Sequence, residues 1–319
     1  RDMTITARAG TTVAHLQAEL AKEGQWLPVD VPSPERATLG GILAVNASGP
    51  RRLACGTLRD YVIGISFVTD DGVEVKAGGR VVKNVAGYDL MKLQIGALGT
   101  LGVVTQVTLK VRPRPEAACA VLVECSAANL TAVFDRVWVS KTRPVAVELL
   151  NAAARRAAGV GPPADPAGGA DVWALLVAFE EKAAAVRWQV ATLLDELKSA
   201  PVAAVRELPD TSLLDALTGL QQRPESRFIG KWAVVPSLLP AEALRLPAGA
   251  PVHAHALNGV IWAHADEPLP PGAVVYRCPP GFPKAPTGGR PGEWELMRHV
   301  KKTLDPDNVF NPGRLFGDI

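Results

Sequence analysis

Few residues in this 319-residue sequence could do chemistry, and they are scattered. His253 and His255, in "HAHALNGVIW", fall on one face of a strand, where two imidazoles can share a metal ion. No carboxylate stands in that motif and the spacing of a metal site is missing, so the pair reads as structural and no metal is expected. Arg227, Lys231 and Arg277 carry the charge to meet a substrate carboxylate, although single cations on a mixed segment are more often solvated. Cys55, before Gly56, reads as a plain small side chain, and Cys119 and Cys125 alternate onto one strand face as core residues. No catalytic residue can be named from these positions.

Glycine is the stronger signal. "TLGGILAVNASG" places Gly40 and Gly41 before a short apolar segment, Ile42 to Val45, that can open a helical turn with free N–H groups pointing outward. Such a terminus binds phosphate, and a residue without a side chain lets the phosphate come close. "IGALGTLGVV" spaces Gly96, Gly99 and Gly102 by three, just ahead of an apolar strand, as if to line a slot for something flat. A diphosphate attached to a planar ring satisfies both clusters. The nucleotide signatures G-x-G-x-x-G after a strand and G-x-x-x-x-G-K-[ST] are absent, which removes most support for a nicotinamide Rossmann fold or a P-loop nucleotidase.

The elements that must position these residues follow from periodicity. "TITARAG" reads as a strand, and Val13, Leu16 and Leu20 then share one helical face that Gly24 stops. "ISFVTDDGVEVKAGG" alternates as two strands around an Asp71-Gly72 turn. Two prolines in "RPRP" end the strand after the second glycine cluster and mark a domain edge. Beyond it, "ACAVLVECS", a helix carrying Leu130, Val133, Phe134 and Val137, and "PVAVELL" make a β-α-β unit. "DVWALLVAF", a helix with Val186, Val190, Leu193 and Leu197, and "VAAVREL" repeat it, predicting a sheet with helices on one side. "GVGPPADPAGGAD" and "GFPKAPTGGRPG" read as loops, "HAHALNGVIWAH" and "GAVVYRC" as strands, and "EWELMRHVKKTLDP" as a helix stopped by Pro306. The tail "DNVFNPGRLFGDI" is expected to pack back on the first region.

Bulk composition narrows the classes. With 48% hydrophobic and 21% charged residues the chain can bury a substantial core. Its 34 basic and 32 acidic residues leave a net charge of +2, which provides no field for nucleic acid or an anionic membrane surface. Four cysteines, none in a C-x-x-C or at zinc or iron–sulfur spacing, argue against metal ligation and against a disulfide scaffold. With no signal peptide and no long apolar run, a cytoplasmic location is expected, with any membrane association made through partner subunits.

The quoted glycine segments, together with "CGTLRDYVIGISFVTDDG", "VVKNVAGYDLMKLQIGALGTLGVVTQVTLKVRP" and "FNPGRL", resemble the vanillyl-alcohol-oxidase type of FAD-binding fold, and within it the FAD-binding subunits of bacterial glycolate oxidases. The likeness is dense over residues 1 to 115, returns at 290 to 316 and is thin between. It implies an α+β chain: a PCMH-type FAD-binding domain over 1–115, its N-terminal subdomain truncated, a ferredoxin-like α/β cap or substrate domain over 116–285, and a C-terminal segment, 286–319, returning to the first domain. It also implies site roles. Thr38, Leu39, Gly40, Gly41, Ala44 and Gly49 would contact the diphosphate and ring system of FAD. Gly56, Thr57, Arg59, Asp60 and Val62 would form the next loop, with Arg59 and Asp60 fixing its geometry. Gly96, Gly99, Gly102, Val103 and Val104 would border the cofactor, the valines through main-chain groups near the adenine.

The family's earlier phosphate loop would lie ahead of Arg1, because "RDMTITARAG" begins partway into a strand. Relatives that oxidise 2-hydroxy acids carry a metal motif where this sequence has "HAHALNGVIW", and an aromatic residue often stands where this sequence has Cys55. Tyr88 and Asp89 are expected to be structural. The implied activity is oxidation of a small 2-hydroxy acid such as glycolate or D-lactate, with electrons leaving toward an iron–sulfur subunit beside a paralogous flavin subunit. A non-catalytic assembly subunit and another PCMH-type flavin oxidoreductase are the alternatives.

Overall fold

The computed structural model describes residues 2–79, 89–160, 172–222, 225–247, 249–280 and 292–314. The loops expected over 159–171 and 281–292 fall largely outside these residues, as do Tyr88 and the last five positions. The chain divides into two units. The first comprises Arg1–Ser48, Gly56–Arg114 and Gly289–Ile319, and the second Gly49–Cys55 and Pro115–Gly288.

In the first unit, strand β1 (Thr4–Arg8) leads into helix α1 (Val13–Lys22), capped by the Thr12 side chain. Val13, Leu16 and Leu20 are buried, and Gly24 takes φ of +63° just beyond the helix end. Helix α2 (Leu39–Val45) follows. Strands β2 (Val62–Val68) and β3 (Glu74–Gly78) form the hairpin foreseen at Asp71-Gly72, with Gly72 at φ +80°. Strand β4 (Val103–Lys110) completes an antiparallel sheet in the order β1-β4-β2-β3. Leu16, Leu27, Leu43, Leu58 and Leu109 are among this unit's most deeply buried apolar residues.

Among its described residues the second unit holds eight antiparallel strands: β5 (Ala117–Ser126), β6 (Ala146–Asn151), β7 (Val172–Glu181), β8 (Ala204–Leu208), β9 (Phe228–Ala233), β10 (Val252–His255), β11 (Val260–Ala265) and β12 (Val274–Arg277). Their order is β8-β5-β7-β6-β10-β11-β9-β12. The first four strands, with helices α3 (Leu130–Trp138) and α5 (Ala183–Leu197), reproduce the expected repeated β-α-β in ferredoxin-like order. The unit also holds helices α4 (Ala152–Ala157), α6 (Ser212–Leu220) and α7 (Leu239–Leu244).

One expectation is corrected. Helices cover both faces of this half of the sheet, because both sets of alternate side chains are apolar. Val121, Val123, Leu149, Leu175 and Val177 pack with α3, α5 and α7, while Ala120, Leu122, Ala146, Leu150 and Leu176 pack with α4 and α6. A strand buried on both faces loses its in-out alternation, and the one-sided reading fails with it.

Helix α8 (Trp294–Leu304) belongs to the first unit, as does the stretch after it. The Gly49–Cys55 segment belongs to the second, where Arg51 grips Glu180 at 2.7 Å and reaches Asp215 and Thr211. No helix among the described residues is long and apolar enough to cross a membrane.

Candidate functional site

Thr38 caps α2, its Oγ1 accepting from Gly41 N at 3.2 Å. The rest of the first turn is also engaged: Leu39 N donates to Thr11 O, Gly40 N to Ala9 O and Ile42 N to Thr38 O, at 2.8–2.9 Å. The expectation of free N–H groups pointing outward is therefore corrected. The loop after β1 supplies carbonyls to that terminus, and a Cβ at Gly40 would sit 3.0 Å from Ala9 Cβ. Glycine is needed there so that the two backbones can meet.

The second cluster docks on the far end of the same helix. Gly96 N donates to Leu43 O (3.0 Å) and Leu98 N to Ala44 O (2.8 Å), so the two glycine segments are hydrogen-bonded to one another. The chain itself uses much of the room that the spaced glycines leave. A Cβ at Gly99 would lie 2.8 Å from Asn311 Nδ2, and one at Gly102 would lie 2.9 Å from Val68 O and 3.1 Å from the Phe67 ring. Gly96 differs: it is exposed, and its Cβ would meet only Asn46 Cβ, at 3.6 Å.

Around this junction the surface is small, apolar and open. Gly41 and Gly96 are exposed, and so are Val45 (53%) and Val103 (54%). Asn46, which ends α2 in the left-handed conformation, buries Oδ1 with no hydrogen-bond partner among the described residues. A buried carbonyl oxygen without a donor costs free energy unless a bound group supplies one. Nothing in the sequence reading singled out Asn46. Its only signal was its place between the small residues of "AVNASG". Gly96 also lines a pocket of about 330 Å³, together with Ala97 and Thr100 and with Leu296, Val300 and Lys301 of α8. The residues present thus fit a group with an apolar body and a hydrogen-bond donor. They do not offer the α2 terminus for its phosphates.

The intervening loop is self-supporting. Gly56 has φ +80°, and Asp60 Oδ2 accepts from Thr57 N (2.7 Å) and Thr57 Oγ1 (3.1 Å). The Thr57 backbone bond is the main reason that the Asp60 carboxyl sits below its ordinary range. Arg59 donates to Lys92 O, and Lys92 donates back to Arg59 O and to Val62 O. Val62 and Val104 are ladder residues of β2 and β4, and Gly49 lies in the segment belonging to the second unit.

In the second unit, cross-strand neighbours on β6, β10, β11 and β9 bring Glu148, His253, His255, Trp262, His264 and Lys231 onto one face. Glu148 holds His255 Nδ1 at 2.9 Å. His253 has no exposed surface, and neither ring nitrogen has a partner among the described residues. Its ring stacks on Trp262 (6.3 Å, 4°) and on His264 (5.6 Å, 22°). Burial, then the neighbouring imidazoles, hold its pKa well below the ordinary value, so the ring is neutral. Among the described residues no group of three His, Cys, Asp or Glu is placed to hold a metal ion.

Lys231 corrects the expectation of a solvated cation. Its ammonium lies 5.5 Å from the Trp262 ring centre and 5.7 Å from that of Tyr276, and among the described residues it has no carboxylate partner. Burial, then the charge of Arg52, lowers its pKa. Arg227 and Arg277 are exposed. Cys125 is fully buried, which pushes its thiol up to about 11, and Cys119 packs half-buried against the same core.

The family described as FAD binding domain matches residues 1–78, and that described as FAD linked oxidases, C-terminal domain, matches residues 284–315. The glycolate oxidase subunit GlcE of Escherichia coli (strain K12) is 44% identical over 126 residues, covering 39% of this chain and 36% of that protein. The glycolate oxidase subunit GlcD of Bacillus subtilis (strain 168) is 38% identical over 36% of this chain and 24% of its own length. A D-lactate dehydrogenase of Archaeoglobus fulgidus is 40% identical over 33% and 24%. The matched stretch therefore spans a quarter to about a third of these relatives. A solved structure of alkyldihydroxyacetonephosphate synthase superposes with a TM-score of 0.69 over 98% of this chain and 63% of that one, and its 19% identity speaks to the fold alone. Residues 1–78 are thus similar to an FAD binding domain, and residues 284–315 to a stretch of the C-terminal domain of the FAD-linked oxidases.

Proposed function

We propose that this chain is the FAD-binding subunit of a glycolate oxidase or D-2-hydroxy-acid dehydrogenase. The observation that carries the reading is the convergence of α2 and the Gly96–Gly102 loop around Asn46 Oδ1, which has no partner among the described residues, in a chain whose ends match FAD-linked families. Asn46, Gly41, Val45, Gly96 and Val103 are the residues that would hold FAD. Thr38, Leu39, Gly40, Ala44, Gly49, Gly56, Thr57, Arg59, Asp60, Val62, Gly99, Gly102 and Val104 shape the backbone around them or, from Gly49, a neighbouring segment. Bound FAD supplies the two-electron oxidation of a 2-hydroxy acid to a 2-oxo acid. Lys231, a cation with aromatic walls and no carboxylate partner among the described residues, suits a substrate carboxylate. The onward partners of this reading are a paralogous flavin subunit and an iron–sulfur subunit.

A second reading has the paralogous subunit oxidise the substrate while this chain serves assembly or electron relay. It is favoured by the histidine face, where His253 is sealed from solvent and His255 is held by Glu148. Adding glycolate anaerobically to the FAD-loaded chain separates the two. Bleaching of the flavin colour that Lys231→Met abolishes supports the first. A yellow protein that does not bleach supports the second, and a chain that takes up no flavin overturns both.

A further inference from the structure

The Gly96–Gly102 loop holds a shape that its own sequence does not fix. Gly96, Leu98, Gly99 and Gly102 have φ of 82°, 56°, 69° and 152°, and leucine is disfavoured in that region. Such a loop persists only where its surroundings over-determine it. Half of the constraint is the pair of bonds from Gly96 and Leu98 to α2. The other half arrives from 201 to 213 residues further along the chain. Asn311 Nδ2 donates to Leu98 O (2.9 Å) and Gly99 O (3.3 Å). Lys301 Nζ donates to Thr100 O (2.9 Å), to Phe310 O (2.9 Å) and to Asp305. An ammonium has three donors, and all three are used. Asp305 in turn accepts from Val309 N and Phe310 N, which ties the tail to α8. Lys301 is 5% exposed and Asp305 1%.

We propose that Lys301 is a positioning residue for the cofactor: with Asp305 and Asn311 it locks the Gly96–Gly102 loop in the shape that receives FAD. The proposal rests on the flavin reading above. It assigns the C-terminal segment a part in cofactor affinity, beyond supplying one wall of the pocket.

The test sets flavin affinity against folding in the whole chain. Lys301→Met keeps the stem and removes the ammonium. The FAD dissociation constant is expected to rise about tenfold or more, at a temperature where circular dichroism shows the variant folded. Amides of residues 96–101 are expected to exchange about tenfold faster without flavin, while those of 117–126 and 172–181 keep wild-type rates. Asn311→Ala leaves the buried charges paired, is expected to weaken FAD about threefold, and decides the matter if Lys301→Met does not fold. Unchanged affinity and unchanged exchange in the folded variant overturn the proposal. A wild-type chain that binds no FAD overturns the flavin reading. Even then, faster exchange at 96–101 in Lys301→Met would support the lock, and unchanged exchange would sink it.

Discussion

Lys301 in the first unit and Lys231 in the second are both drawn away from water, yet their surroundings are opposite. Lys301 gives its three protons to two carbonyls and a carboxylate. Lys231 has aromatic faces and no carboxylate partner among the described residues, and burial lowers its pKa. A buried charge with every donor used is part of the scaffold. One left short of a counter-ion is a place where an anion from outside lowers the free energy. The comparison separates residues that build the site from residues that wait for a ligand, and it can be broken by mutation.

The largest effect is expected at Lys301. Lys301→Met leaves the buried Asp305 carboxylate without its counter-ion, held only by Val309 N and Phe310 N, and should destabilise the first unit by about 3–5 kcal/mol, read from urea unfolding followed by a probe in that unit. Next is Gly99→Ala, which must place a Cβ 2.8 Å from Asn311 Nδ2 at φ +69°. The cost should be about 2 kcal/mol, against about 1 kcal/mol for Gly72→Ala, where φ is also positive but the space is open. Equal costs at the two positions would show that the Asn311 contact does not matter.

The second unit should respond to pH through His253. The folded state holds this ring neutral, whereas the unfolded chain protonates it near pH 6.5. Below that pH the unfolded state therefore binds the extra proton, and stability falls by up to about 1.4 kcal/mol per pH unit, the loss being absent above it. His253→Phe should remove that slope from unfolding midpoints measured between pH 7.5 and 5.5, about the range in which an unperturbed histidine changes charge. A slope that survives the substitution assigns the effect to other groups. The smallest change in stability is expected at Lys231. Lys231→Met loses the ring contacts but relieves a desolvated charge, so unfolding should move by less than about 1 kcal/mol while anion binding is lost. A loss as large as that at Lys301 would contradict the contrast.

Much of this architecture was legible in the sequence because it is local. Val13, Leu16 and Leu20 announce α1 by spacing, Asp71-Gly72 announces its hairpin by turn chemistry, and the repeated β-α-β follows from period. The helix Ser212–Leu220 and the strand Phe228–Ala233 escaped, although Leu214, Leu217 and Leu220 recur at helical spacing. What the site depends on is non-local. No reading of "TLGGIL" could show that Ala9 and Thr11 close the α2 terminus, and nothing in "RHVKKTLDP" shows that Lys301 reaches Thr100. The glycines were found, but part of the reason for them lay in Asn311 and Val68, far along the chain. Likewise Glu148 meets His255 only through sheet register, 107 residues apart.

The central claim is that α2 and the Gly96–Gly102 loop together receive FAD. Equilibrium dialysis of the purified chain against FAD tests it most directly. The account predicts saturable retention of one flavin per chain, weakened when Gly96→Trp fills the open side of the junction. A chain that retains no flavin, or retains it equally well with Gly96→Trp, would contradict it.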